Sequence, residues 1–176
     1  MTKEDLLELI SSWENLGLIT SEMITNPAKL SLLMEVSLYS DHPRSWRATW
    51  VADKIHDKRP ELIVPFLGKM IRQMKRETHA SKKRQFLKLI SMHEIPEGHL
   101  SFLMDYCMNC FLSANEPVSI RVYALQILFN ISEREPLFKS ELLSLIEHEM
   151  ELHPAAGVRA RGRNLAKKLK KQIFRL

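Results

Sequence analysis

The sequence is poor in glycine and in cysteine. Among its 176 residues there are five glycines and two cysteines, while 45% are hydrophobic. It contains no glycine-rich phosphate-binding loop, no GxSxG nucleophile turn and no EF-hand loop. We therefore expect an all-α chain that is not an enzyme and that carries no cofactor or metal.

Long apolar runs are also missing. No stretch approaches the about 20 apolar residues that a membrane-spanning helix needs. The first ten residues, MTKEDLLELI, are acidic and amphipathic, which does not fit a secretory signal or a transit peptide. With only two cysteines as well, the sequence predicts a cytoplasmic protein kept in a reducing compartment.

An apolar pattern recurs along the chain at steps of 38 residues, as from position 86 to position 124. The positions follow i, i+3, i+4, i+7 spacing, which predicts one buried face of a helix. The four quartets are Ala48, Val51, Ala52 and Ile55; Phe86, Leu89, Ile90 and His93; Ala124, Ile127, Leu128 and Ile131; and Gly162, Leu165, Ala166 and Leu169. A period of this length is typical of stacked helical hairpins.

A second helical pattern lies between these quartets. Its predicted inward residues are Leu62, Phe66, Met70 and Met74; Leu100, Met104, Met108 and Leu112; and Phe138, Leu142, Ile146 and Met150. Pro60, Gly98 and Pro136 precede the three sets and mark turns. Each repeat is thus predicted to contain an A helix, a short turn and a B helix, with Pro65 kinking the first B helix or delaying its start.

These patterns divide a single predicted domain into five parts. They are a degenerate N-terminal helical pair at 1–43, repeats at 44–80, 81–116 and 117–154, and a basic C-terminal capping helix at 155–176. In the N-terminal pair, a first helix is predicted from Thr2 to Asn15, with Trp13 inward and Gly17 closing it. A second helix is predicted from Asn26 and Pro27 onward.

Three segments carry a resemblance to a known family. Ile120-Arg121-x-x-Ala124-x-x-x-Leu128 is similar to the VRxxAxxxL run of HEAT repeats and of the related armadillo repeats. Val158-Arg159-x-x-Gly162-x-x-x-Ala166 resembles the same run, and the segment from Pro60 to Leu67 resembles the opening of a HEAT B helix. The resemblance implies a right-handed α-α superhelix, an alpha solenoid that serves as a scaffold and whose B helices line a concave face.

The B helices then supply the candidate partner-binding residues. Once the predicted core positions are removed, the first two B helices leave Lys69, Arg72, Arg76, Phe102, Tyr106 and Asn109. Aromatic side chains beside charged ones are typical of binding hot spots. The first hypothesis is therefore protein-protein interaction through the concave face, although the same residues would also fit helix packing and solvated charge.

Banded basic charge supports an alternative function. The net charge is +5, and basic side chains concentrate in residues 69–88 and 159–175. The alternative is nucleic-acid binding, similar to that of HEAT-like DNA alkylation-repair proteins, through Lys82, Lys83, Arg84, Arg159, Arg161, Arg163, Lys167 and Lys168. Base excision near Trp46, Trp50 and Asp53 is a weaker third option, and a basic end-cap that keeps the last helix soluble explains the tail without any ligand.

Three groups of chemically reactive side chains are interpreted as structural. Cys107-x-x-Cys110 has no second ligand pair, so both thiols are expected to be buried hydrophobes. His148 and His153 are five residues apart, whereas two zinc ligands on a helix need a spacing of four; a solvated acidic helix end is expected there. His93 occupies a core slot, where an inward or border histidine hydrogen-bonded to a neighbouring turn is expected, since spacing places no nucleophile or carboxylate beside it.

Overall fold

The computed structural model describes residues 1–153 and 155–174, and every regular element in this part of the chain is helical. The α-helices are α1 (Lys3–Leu9), α2 (Leu16–Thr25), α3 (Pro27–Tyr39), α4 (Trp46–Lys58), α5 (Leu67–Gln73), α6 (Ala80–Ser91), α7 (Leu100–Leu112), α8 (Val118–Arg134), α9 (Lys139–Leu152) and α10 (Ala156–Phe174). Short 3₁₀ turns occupy Trp13–Asn15, Pro60–Leu62, Val64–Phe66 and Pro136–Phe138.

The helices form two compact units, Met1–Leu89 and Ile90–Leu176. In the first unit, α3 packs against α2, α4 and α5. In the second unit, α8 packs against α7, α9 and α10, and α9 also packs against α10. Each unit therefore has helical hairpins whose apolar faces cover one another, which is how such repeats bury a core.

The apolar quartets form the centre of both cores, as the sequence predicts. Every side chain of the four quartets is buried except that of His93. His93 is half-buried because α6 ends at Ser91, so the histidine lies in the turn beyond the helix and not on its inner face. Of the two predicted positions for His93, inward or border, the structure shows the border one.

Two helix starts at the N-terminus follow local capping rules. The hydroxyl of Thr2 accepts a hydrogen bond from the backbone N–H of Asp5 at 3.1 Å, and the Asp5 carboxylate accepts one from the N–H of Thr2 at 2.7 Å. This backbone hydrogen bond lowers the pKa of Asp5. The side chain of Asn26 accepts hydrogen bonds from two N–H groups in the first turn of α3, both at 3.1 Å. Both helices therefore begin where the sequence predicts, and each has a side-chain cap.

The predicted end of the first helix is wrong. It ends at Leu9, and Gly17 lies inside the next helix instead of closing the first. The guanidinium of Arg47 donates to the carbonyl of Ile10 at 3.2 Å and also to that of Ser11, so it satisfies backbone acceptors where the helix stops. The contact comes from α4, 36 residues away in the chain, which local capping signals do not reveal.

The first B helix starts late, as Pro65 predicts. Two 3₁₀ turns, each with a proline at its start, precede α5, which begins only at Leu67. The proline ring is compatible with the first turn of a helix but not with its interior. The result is a short helix of seven residues.

Candidate functional site

The predicted partner-binding cations of the first unit lie on an exposed face. Lys69 and Arg72 belong to α5, and Arg76 follows in the turn after it. All three are exposed, and the ammonium of Lys69 lies 5.4 Å from the centroid of the Phe66 ring. Their spacing of three and then four residues places them on one side of the element, so they form a basic face in this unit.

The predicted nucleic-acid cations on α6 differ in exposure. Only Arg84 is fully exposed, and Lys83 is half-buried. Lys82 is buried, with 4% of its surface exposed. Its ammonium donates to the carbonyl of Ser40 at 3.0 Å and lies 3.5 Å from the carboxylate of Glu77. Lys82 therefore holds the segment before α4 in place and does not contribute to a basic surface.

The aromatic candidates of the second unit lie on the flank of α7. The rings of Phe102 and Tyr106 are both half-buried, and their centroids are 5.6 Å apart with the planes tilted by 42°. Asn109 is exposed one turn further along. Burial raises the pKa of the Tyr106 hydroxyl, and the neighbouring Cys110 thiol raises it further. The three residues therefore share one half of the helix, with Asn109 towards solvent.

The predicted inward register of α7 is wrong by one residue. Its buried side chains are Leu103, Cys107, Cys110 and Phe111. The positions expected to be inward are half-buried at best, and Leu112 is 38% exposed. The helix is apolar on nearly all sides, LSFLMDYCMNCFL, so two neighbouring registers fit the same periodic pattern and the sequence does not choose between them.

The two cysteines of α7 are buried and neither forms a disulfide. Burial raises the pKa of the Cys107 thiol well above its usual value of 9.0. A raised pKa keeps the thiol protonated, which removes the nucleophilic and metal-binding form. Across residues 1–153 and 155–174, no group of three or more His, Cys, Asp or Glu side chains is arranged to hold a metal ion.

The basic residues of α10 fall into two groups. Arg161 is half-buried and donates to the side chain of Gln126 at 2.7 Å, so it ties α10 to α8. Arg159, Arg163, Lys167 and Lys168 are exposed, and the ammonium of Lys168 lies 5.8 Å from the centroid of the Phe129 ring. Arg175, at the end of the predicted basic band, lies outside the described residues.

Sequence reasoning missed a buried ion pair at the end of α9. Glu149 is 4% exposed and Arg121 is 3% exposed, so the expectation of a solvated acidic helix end is wrong for Glu149, whereas His148 and Glu151 are exposed as expected. The Arg121 guanidinium donates to Glu149 at 2.8 Å and to the carbonyl of Phe111 at 2.9 Å, while His153 lies 3.1 Å from the same carboxylate. A signal was present, because Arg121 precedes the core residue Ala124 by one helical turn.

All three tryptophans of the chain gather in the first unit. The ring centroid of Trp13 lies 5.7 Å from that of Trp46 and 5.3 Å from that of Trp50. The guanidinium of Arg47 lies 4.7 Å from the Trp13 centroid and 5.5 Å from the Trp46 centroid. Trp13 is nevertheless 49% exposed, which corrects its predicted inward position. The cluster was not foreseen because it depends on the 3₁₀ turn before α2.

The acidic residue near these tryptophans is enclosed by cations. Asp53 is 2% exposed, and both of its carboxylate oxygens accept from the ammonium of Lys88, at 2.7 and 2.8 Å. The ammonium of Lys54 lies 3.8 Å from an oxygen of the same carboxylate. The hydrogen bond from Lys54 to Asp57 raises the pKa of Lys54. The carboxylate of Asp53 is thus committed to an ion pair within the unit.

An open cavity of about 880 Å³ lies in the second unit, at the turn after α6. Residues of that turn and of the end of α8 line it, among them His93, Glu94, Asn130 and Arg134. The lining side chains already hold the turn: Arg134 donates to the carbonyl of Ile95 at 3.0 Å, and Asn130 donates to that of Ser91 at 2.8 Å. The cavity is therefore a product of loop packing.

Comparison with known proteins identifies the family. The family model described as a HEAT repeat domain matches residues 3–169, which is nearly the whole chain. No curated protein and no solved structure gives a significant match. No helix of the described segments 1–153 and 155–174 is long and apolar enough to cross a membrane. The predicted all-α fold of HEAT-like helical hairpins is confirmed, and the chain belongs to the HEAT repeat family of helical repeat scaffolds.

Proposed function

We propose that this HEAT repeat protein is a non-enzymatic scaffold that binds a protein partner through the outward side of α7. The observation that carries the proposal is the composition of that side, which we call the α7 face. It consists of Phe102, Met104, Asp105, Tyr106, Met108 and Asn109. Its centre is exposed and polar, at Asp105 and Asn109, and half-buried apolar side chains border it.

The α7 face has the residue types that protein interfaces favour. Tyr, Phe and Met are enriched in interfaces, whereas Lys and Glu are depleted, and α7 contains no Lys or Glu. The two aromatic side chains border one side of the polar centre and the two methionines border the other. Methionine adapts its shape to irregular surfaces, so the flank at Met104 and Met108 suits a partner helix or loop.

The exposed cations of the first unit support a charged contact of their own. Lys69, Arg72 and Arg76 form a basic face there. Exposed charges of this kind add little affinity but steer an acidic partner segment and raise the association rate. The proposal therefore assigns the aromatic contact to α7 and electrostatic steering to the basic face of the first unit.

We place this function in the cytoplasm. Cys107 and Cys110 lie one helical turn apart on α7 and form no disulfide, which fits a reducing compartment. Expression in the oxidising bacterial periplasm, followed by mass measurement, tests the placement: retention of a normal fold with an internal disulfide would contradict it.

Site-specific photo-crosslinking tests which side of the chain meets the partner. A benzophenone amino acid replaces Asn109 at the centre of the α7 face, and a control carries it at Glu141, an exposed position on α9. We expect one or a few defined protein adducts from position 109, identified by mass spectrometry, and none of these from position 141. Equal adducts from both positions would contradict the assignment.

Substitutions then test the face with the identified partner. Asp105→Lys changes an exposed carboxylate at the centre, and Glu141→Lys makes the same charge change elsewhere in the unit. We expect Asp105→Lys to lower the affinity at least about tenfold, which is about 1.4 kcal/mol, and Glu141→Lys to leave it unchanged in calorimetry. Alanine at Phe102 or Tyr106 should lower the affinity by about 2 kcal/mol, with circular dichroism checking the fold.

A further inference from the structure

The last described helix, α10, carries charge of one sign only. Ala156–Phe174 contains seven Lys or Arg residues and no Asp or Glu. One side of the helix is buried through Val158, Gly162, Leu165, Ala166 and Leu169, so the helix is fixed to its unit. The basic residues on its other side are therefore presented from a rigid support of 19 residues.

Four of these cations form a row on the exposed side, which we call the cationic row. The row consists of Arg159, Arg163, Lys167 and Lys171, all of them exposed. Successive members are four residues apart, so they rise by about 6 Å per step along the helix and span about 18 Å. The row follows one ridge of the helix surface, since residues at i and i+4 lie one above the other.

The cationic row is not neutralised within its unit. Lys170 is paired with Glu147 at 2.7 Å, and Arg161 is engaged by Gln126. In contrast, no carboxylate among residues 1–153 and 155–174 makes an ion pair with any member of the row. Four exposed, regularly spaced charges without counter-charges match a ligand that has its own regular series of negative charges.

We infer that the cationic row binds the phosphodiester backbone of a nucleic-acid duplex without reading its sequence. A duplex presents closely spaced phosphates on a stiff support, and a fixed row of Arg and Lys neutralises several at once. Contacts from Arg and Lys to phosphate oxygens carry no sequence information, and single-strand binding relies on aromatic platforms, which the row lacks. This inference is independent of the proposed protein contact on α7.

Two acidic side chains border the row and limit the binding: Glu147, which is paired with Lys170, and Glu151. Glu151 is exposed on α9 and lines the same shallow groove as Arg159 and Arg163. Its charge repels a phosphate that approaches the first half of the row. The substitution Glu151→Gln removes this repulsion while conserving shape, so it should tighten duplex binding, and this gain is a readout that loss of folding does not produce.

Fluorescence anisotropy with a labelled random-sequence DNA duplex tests the inference on the whole protein. For four neutralised phosphates, the slope of log K against log salt should be about −3.6, which is about a 150-fold loss of affinity between about 50 and about 200 mM salt. The variant Arg163→Gln with Lys167→Gln should halve the slope to about −1.8 and reduce the loss to about 12-fold.

A matched variant separates the row from net charge. Arg44→Gln with Lys58→Gln removes two exposed cations from the first unit and leaves α10 intact. The slope of this control should equal that of the natural protein. An equal fall in both variants would overturn the inference, because binding would then follow the charge of the whole chain.

Three further results would overturn the inference. The first is no duplex binding at about 50 mM salt, where backbone contacts are strong. The second is a single strand of the same sequence that binds about tenfold tighter than the duplex. The third is a polyglutamate peptide of equal charge that binds more tightly than the duplex, which would assign the row to an acidic protein segment.

Discussion

Removing the positive charge of Arg121 should destabilise the second unit more than most single substitutions would. Arg121 is 3% exposed and is bonded both to Glu149 on α9 and to the carbonyl of Phe111 at the end of α7. The substitution Arg121→Met conserves much of the side-chain volume and removes every donor. The carboxylate of Glu149 then stays buried, with His153 at 3.1 Å as its remaining neighbour.

The cost follows from what is left behind. Breaking a buried ion pair on one side destabilises a protein by about 3–5 kcal/mol, since the other charge remains without compensation. The orphaned carbonyl of Phe111 adds about 1 kcal/mol. A loss of about 4–6 kcal/mol is a large part of the about 5–15 kcal/mol that holds a typical domain folded.

Urea unfolding followed by far-ultraviolet circular dichroism measures this loss. The double variant Arg121→Met with Glu149→Met should recover at least half of it, because an apolar pair of similar volume is often as stable as a buried ion pair. The control Arg163→Met removes an exposed guanidinium from the same unit and should change the free energy of unfolding by less than about 0.5 kcal/mol.

Tryptophan fluorescence shows whether the loss of stability in Arg121→Met is confined to the second unit. Trp13, Trp46 and Trp50 are the three tryptophans of the chain, and all lie in the first unit, whereas circular dichroism reports both. A loss below about 1 kcal/mol in Arg121→Met, or a double variant no more stable than the single one, would refute the reasoning, since either result means that the buried carboxylate carries no uncompensated charge.

Four other perturbations have signs that the structure decides, and urea unfolding measures each free energy. Asn26→Ala should cost about 1 kcal/mol, because two N–H groups of α3 lose their acceptor. Gly17→Ala should stabilise by about 0.5 kcal/mol, because the site is helical and an added Cβ meets nothing within 4 Å. Gly162→Leu should cost about 1–3 kcal/mol, because even a Cβ there would lie 3.0 Å from the sulfur of Met150. Burial raises the pKa of Cys107, so only the unfolded thiol ionises as the pH rises above 9.0. The free energy of unfolding should therefore fall by about 1.4 kcal/mol per pH unit above that value. The substitution Cys107→Ala should remove this slope.

The amino-acid sequence was sufficient for the repeat, the A helices and the local caps. The 38-residue step places apolar side chains such as Val51, Leu89 and Ile127 on one face of successive helices, and all three are fully buried. These features are local, since a helix presents its i, i+3, i+4 and i+7 positions on one side whatever packs there. The side chain of Asn26 caps α3 for the same reason, because its hydrogen bonds reach only three residues along the chain.

The candidate surfaces depend on information that the sequence pattern does not contain. In α7 the pattern fits two registers, and packing against α8 places Leu103 inside and leaves Met104 at the border. The exposure of a charge depends likewise on distant partners. Lys82 is buried where the carbonyl of Ser40 and the carboxylate of Glu77 meet its ammonium. Arg163 is exposed and forms no ion pair with a carboxylate of the described residues.

The sequence by itself therefore determined that this chain is a stack of helical hairpins, and the tertiary structure decided which surfaces remain for binding. Helix periodicity and capping act over one or two turns, so they are present in the sequence. Burying Glu149 requires Arg121, which is 28 residues away, and ending the first helix at Leu9 requires Arg47 from α4. Desolvating a charged group is favourable only when such a partner is in place, and only the folded chain brings the two together.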